Sequence, residues 1–260
     1  MKLTYSLFAF LIAFSLSSVS KAQHKVLLDT YFNNEYKKNT EGKLVPFHYR
    51  WEETALSGFS ILGNVFEANG FELASLSKSP TKKQLKPYQV YVIVDPDTEK
   101  ETANPNFMNN KAAKEIAAWV KQGGVLLLFA NDSANVELKN FNKLANIFGI
   151  NFNNKLINHV TNDVTREGGG VLTMNSPIFK TAKQVYMKDA CSIAVSGNAF
   201  PLLKQKEDII IAGSTYGKGT VVAIGDPWLY NEYVNGNLQV EFENDKGAAD
   251  LVKYLKSKIN

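Results

Sequence analysis

The 260-residue chain predicts an α/β domain, an open parallel sheet in its first half with antiparallel strands added in its second. Three observations carry this. Apolar runs and amphipathic stretches alternate from Lys25 to Phe148, the order from which parallel sheets with crossover helices are built. One run, Val125–Ala130 (VLLLFA), is apolar throughout, as strands buried on both faces are. Beyond Ile150 the runs shorten and alternate, and Tyr216-Gly217-Lys218-Gly219 forms a hairpin turn between two of them.

The elements follow in order. Lys25–Thr30 (KVLLDT) is the first strand, and a polar, aromatic loop runs from Tyr31 to Thr54. Ser57–Asn69 reads as a helix with Phe59, Leu62, Val65 and Phe66 inward, stopped by Gly70. Glu72–Leu76 is a short strand, Thr81–Leu85 a helical turn after Pro80, and Val90–Val94 (VYVIV) a β-rich run. A long loop to Asn110 precedes the helix Lys111–Gln122, which Gly123-Gly124 ends. Val136–Phe148 reads as another helix, ended by Gly149. Short runs follow at Val171–Met174, Gln184–Met187, Ser192–Val195 and Pro201–Leu203. The hairpin strands are Asp208–Ser214 and Thr220–Ile224, and residues 245–257 form the closing helix. No repeat or linker divides residues 23–260, which read as one domain.

Residues 1–22 read as a secretory signal peptide. Lys2 gives a basic start, an apolar core runs from Leu7 to Val19, and Ser20-Lys21-Ala22 places small residues for cleavage. The run is too short and serine-rich for a membrane anchor, and no lipid-bearing cysteine follows it. The expected location is therefore periplasmic or secreted. Cleavage removes Lys2 and Lys21, so the formal charge of +4 becomes +2. That is too weak to argue for nucleic acid. One cysteine excludes a disulfide framework, and three histidines leave little for a metal cage. Nothing calls for a cofactor.

Open α/β sheets bind ligands at the carboxyl ends of their strands. Four apolar runs here end in acids: Asp29, Asp95 with Asp97, Asp132 after Asn131, and Asp226. Each alone reads equally as a turn or cap residue. Together on one edge they suggest a polar ligand pocket or a carboxylate pair for acid–base work, with Asp132 and Asp226 as the candidate catalytic pair. Pro46–Glu53 (PFHYRWEE) packs His48, Tyr49, Arg50, Trp51 and Glu52 together. Aromatic faces there could stack on sugar while Arg50 and His48 meet carboxylate, or the aromatics could be core. Trp228, Asn231 and Glu232 repeat that character after Asp226, and His159 is a third polar outcrop. Gly168-Gly169-Gly170 lacks the helix and lysine of a phosphate loop, and Cys191 begins no helix.

Three segments carry a family resemblance: Asp95–Thr102 (DPDTEKET), Ala118–Asp132, and Gly225–Tyr233 (GDPWLYNEY). The chain resembles the class I glutamine-amidotransferase-like module of secreted carbohydrate-processing proteins. That module is often joined to, or found with, unsaturated rhamnogalacturonyl and glucuronyl hydrolases of pectin breakdown. The resemblance implies a flavodoxin-like three-layer sandwich and a role in polysaccharide use. It excludes glutamine hydrolysis, because Phe129-Ala130-Asn131-Asp132-Ser133 holds no cysteine where true amidotransferases carry their nucleophile. The expected function is that of an accessory or carbohydrate-binding protein. Its partner would be an oligosaccharide, in particular one containing uronic acid. The alternatives are a glycosidic hydrolase using paired carboxylates or a carboxylate-bound cation, and a scaffold partner of a glycoside hydrolase.

Overall fold

A computed structural model describes residues 23–259, except Asp163, Glu232, Tyr233 and Asn235. The expected signal peptide, residues 1–22, and the candidate site residue Glu232 lie outside the described residues. The strands are β1 (His24–Asp29), β2 (Tyr36–Lys38), β3 (Leu44–Pro46), β4 (Phe71–Leu76), β5 (Val90–Val94), β6 (Val125–Phe129) and β7 (Ile150–Ile157). They continue with β8 (Gly170–Leu172), β9 (Gln184–Tyr186), β10 (Ala190–Val195), β11 (Ala199–Gln205), β12 (Asp208–Tyr216) and β13 (Gly219–Ile224). The helices are α1 (Ser60–Ala68), α2 (Lys82–Leu85), α3 (Asn110–Lys121), α4 (Leu138–Ala145) and α5 (Asn244–Lys256).

A 9-stranded sheet runs β4-β1-β5-β6-β13-β12-β10-β7, with β11 on β12. The stretch from β4 to β13 is parallel throughout. Numbered by chain order, these parallel strands lie 2-1-3-4-5. β12 pairs antiparallel with β13 and β11, and β10 joins β12 through Ile193 and Ile209. This is the mixed α/β sheet the sequence predicts.

Alternation along the parallel strands sends successive side chains to opposite faces. Val26, Leu28, Val92, Leu127 and Val222 meet Phe59, Phe66, Leu251 and Leu255 of the α1 and α5 layer. Leu27, Tyr91, Ile93, Leu128 and Ala223 meet Leu85, Ile116, Val120 and Phe141 of the α2–α4 layer. The sheet is thus covered on both faces, which is why its strands read as unbroken apolar runs.

Three details differ from the sequence reading. α1 starts at Ser60 rather than Ser57, because the Ser57 carbonyl accepts the Tyr49 N–H at 2.7 Å. The loop after β1 contains the small β2–β3 hairpin. Ile150–Ile157 is a strand although it carries three asparagines. Asn142 of α4 holds it, donating to the Phe152 carbonyl at 2.9 Å and accepting its N–H at 2.8 Å.

Candidate functional site

The acid-bearing ends of β1, β5, β6 and β13 share one edge, in register: Val94 pairs with Phe129, and Phe129 with Ile224. The connections leave β1 for β4 on one side and return to β5 on the other. The crevice between β1 and β5 is therefore the topological switch point, where ligands of open α/β sheets bind. Here the segment from Tyr31 to Gly58 covers it.

Asp29 lies under this cover, 1% exposed. One oxygen accepts the Tyr31 and Phe32 N–H groups at 3.0 and 2.7 Å, and the other contacts the Tyr91 hydroxyl. Burial pushes its pKa up to about 6 against those bonds. Asp97 accepts the Asn34 N–H and the Thr102 hydroxyl, each at 2.8 Å, on one oxygen. Burial likewise raises it to about 6. Both acids hold the chain that turns over the strand ends.

Asp95 is different. It is buried in the left-handed region at φ 46°, and the Asn33 side chain donates to its carbonyl at 2.9 Å. Tyr49 and Asn131 lie within hydrogen-bonding reach of its carboxyl group, yet Oδ1 has no partner. Burial drives its pKa well up. Asn33 and Asp97 also present partnerless buried oxygens. Above them His48 contacts Glu35 through Nδ1, its ring stacked on Tyr49 at 4.3 Å. Burial opposes charge on His48, but Glu35 and Asp95 outweigh it and the pKa rises. His48 and Tyr49 both have positive φ, 70° and 51°. Adjacent left-handed non-glycine residues store strain that their surroundings must hold.

The other predicted residues separate into groups. Asp226 is fully buried; it accepts the Lys188 N–H at 2.7 Å and the Trp228 N–H at 2.8 Å. Asp132 accepts the Ala134 N–H at 2.8 Å and the Asn135 side chain at 2.6 Å. Both members of the candidate catalytic pair therefore hold turns. Trp51 is 6% exposed, packs on Phe59 and Phe66, and donates from its indole to the Ala74 carbonyl at 3.1 Å. It is core and presents no open face to sugar. Tyr49 and Asn231 are also buried. Trp228 is half-buried, with the Lys188 ammonium 5.2 Å from its ring. Cys191 is buried at the start of β10, its thiol pushed up by burial.

Open space lies beside the covered crevice. Arg50 and Glu52 line a 390 Å³ cavity with Thr30, Lys37, Glu53 and Ser75, at the ends of β1 and β4. The half-buried Arg50 donates to the Asn33 carbonyl at 3.2 Å. Burial lowers its pKa, opposed by Tyr36, Asp29, Asp97 and Glu52. His159 lies elsewhere, against Asp189 at 2.7 Å on the rim of an 810 Å³ cavity. Among the described residues no group of three or more His, Cys, Asp or Glu side chains is arranged to hold a metal ion.

Sequence reasoning missed Glu35, Asn33 and Glu101. Glu101 is an acid near Asp95, and its own carboxylate accepts the Thr98 N–H at 2.9 Å. The signal for it was present in the acidic run after Asp95. Glu35 carried none, because its role comes from contact with His48 across the β2–β3 hairpin.

No family model and no curated protein matches the chain. Among solved structures it is similar to the N-terminal domain of mmIFT52, with a TM-score of 0.64 at 16% identity over 90% of this chain and 97% of that one. The cytoplasmic protein STM1381 from Salmonella typhimurium LT2 gives 0.61 at 15% identity over 91% and 100%. The exo-beta-1,4-mannosidase Op5Man5 from Opitutaceae bacterium strain TAV5 gives 0.53 at 13% identity over 92% of this chain but 36% of its own. At such identities the likeness shows the fold, a mixed α/β domain with a mostly parallel central sheet and added antiparallel strands.

Proposed function

We propose that this protein is an exported accessory module of polysaccharide use that binds an acidic oligosaccharide at the carboxyl edge of its sheet without cleaving it. The strand order 2-1-3-4-5 supports the flavodoxin-like, class I amidotransferase-like reading. The observation that carries the proposal is the contrast at this edge. Asp29, Asp132 and Asp226 are occupied with backbone amides, whereas Arg50 faces an open polar cavity. The planar guanidinium suits a uronate carboxylate, and Thr30, Glu52 and Ser75 suit sugar hydroxyls. A sugar setting also fits the printed name of the mannosidase, part of which shares this fold. Calorimetry with trigalacturonate tests the site: Arg50→Ala should weaken binding by about 1.5–3 kcal/mol, the worth of a hydrogen bond to a charged group. Equal affinity in both proteins would remove the assignment.

A hydrolase is the second reading, favoured by the raised pKa of buried Asp95 near His48. That combination serves a general acid when substrate can reach it. It requires the covering segment to open, and Asp95→Asn would then abolish turnover.

A further inference from the structure

The two helical layers carry different charge. On α3, Lys111, Lys114 and Lys121 are exposed along the stripe opposite the buried Ala113, Ile116 and Val120. α2 and α4 both pack against α3. α4 adds exposed Lys139 and Lys143, one turn apart, and α2 adds exposed Lys83 with Lys86 at its end. Acids offset these lysines only in small part. Glu115 is the acid within the three helices, and its half-buried carboxylate accepts the Lys82 N–H at 2.7 Å. Glu137 caps α4 by accepting the Asn140 N–H at 2.8 Å. The other layer is mixed: α1 carries Glu67 and no base, and in α5 Asp245 and Asp250 accompany Lys246, Lys253 and Lys256. A modest formal charge of +4 thus conceals a basic face over α2–α4.

This face lacks the anchors that other partners use. Among the described residues no exposed large apolar side chain lies on α2, α3 or α4, and the arginines, Arg50 and Arg166, lie elsewhere in the chain. Protein interfaces centre on buried aromatic and arginine anchors. Nucleic acids are read by arginine forks and stacking aromatic rings. Lysine is a compact point charge on a flexible stem, which asks no fixed geometry of its partner. A layer of anionic lipid headgroups asks none either, and attracts each nearby lysine separately.

We propose that the α2–α4 face docks on a bilayer of anionic phospholipid, held there by lysine charge. These helices cover one face of the sheet, so docking lays the sheet along the membrane and leaves its carboxyl edge open at the side. The docking face is separate from the Arg50 cavity and does not rest on what that cavity binds.

Sedimentation of residues 23–260 with vesicles tests it, using phosphatidylcholine alone and phosphatidylcholine mixed with phosphatidylglycerol. The protein should bind the mixed vesicles and leave the neutral ones in solution. Raising salt from about 0.05 to about 0.5 M should release it, because screening then acts over a few ångströms. Each lysine should be worth about fivefold in affinity, so Lys111→Gln, Lys114→Gln and Lys121→Gln together should cost on the order of a hundredfold. Lys204→Gln, Lys246→Gln and Lys253→Gln together remove the same charge from β11 and α5, and should cost less than roughly tenfold. Should the α3 triple variant melt early, Lys139→Gln with Lys143→Gln replaces it. No binding to the mixed vesicles, binding that ignores salt, or equal losses in the two triple variants would overturn the assignment. So would duplex DNA or polygalacturonate held by the α3 lysines more tightly than the mixed vesicles are.

Discussion

The Asp226 carboxylate accepts the Lys188 N–H at 2.7 Å, tying the end of the last parallel strand to the connection between β9 and β10. The same carboxylate caps the turn at Pro227 through the Trp228 N–H. This joint holds the two halves of the sheet together at the edge where ligands would enter. It also places a carboxyl group where water cannot reach it.

Burial pushes the Asp226 pKa up from 3.8 to about 8. A group raised on folding stabilises the fold below its unfolded pKa and loses that stabilisation as pH rises to its folded value. Asp226→Asn removes the titration at the cost of one of the two hydrogen bonds accepted from the Lys188 and Trp228 N–H groups, a loss that does not vary with pH. Relative to wild type, the variant should therefore gain stability steadily between pH 3.8 and about 8. Urea melts across that range check this, and a constant difference would exclude Asp226 as the source.

His48 and Glu35 clamp the segment over the switch point. The His48 pKa is raised on folding, so the clamp is complete below its ordinary value of 6.5 and loosens as pH climbs through the higher folded value. Amide protection factors from Tyr31 to Gly58, which take out the intrinsic rise of exchange with pH, should fall over that rise. In Glu35→Gln they should be low at every pH, with the sheet unaffected. Protection factors in this segment that ignore both pH and the substitution would contradict the clamp.

Trp51 separates a core role from a binding role. Its ring lies against Phe59, Phe66 and the Gly63 backbone, where an added Cβ would come 3.3 Å from the indole. Trp51→Ala should cost about 3–5 kcal/mol, as large-to-small core changes do. At about 2–4 °C per kcal/mol for a domain of this size, the melting temperature should fall clearly. A normal melting temperature with lost ligand affinity would instead make Trp51 a sugar platform.

The fold was legible where one residue pattern decides one element. VLLLF reads as a strand because both its faces are buried, and VYVIV reads likewise. Ile150–Ile157 did not, because its asparagines favour loops unless Asn142 brackets Phe152 from the neighbouring helix α4. The four strand-end acids were legible as a set on one edge. Their roles were not, since an acid that accepts two backbone amides looks in sequence like one that meets a ligand. Trp51 had the same ambiguity, which only the position of α1 against β4 resolves.

Binding without cleavage at the carboxyl edge is decided by titration of residues 23–260 with trigalacturonate, followed by chain-length analysis of the recovered sugar. Saturable heat, lost with Arg50→Ala, and recovered sugar of unchanged length are expected. Absent heat, or shortened chains that disappear in Asp95→Asn, would contradict it.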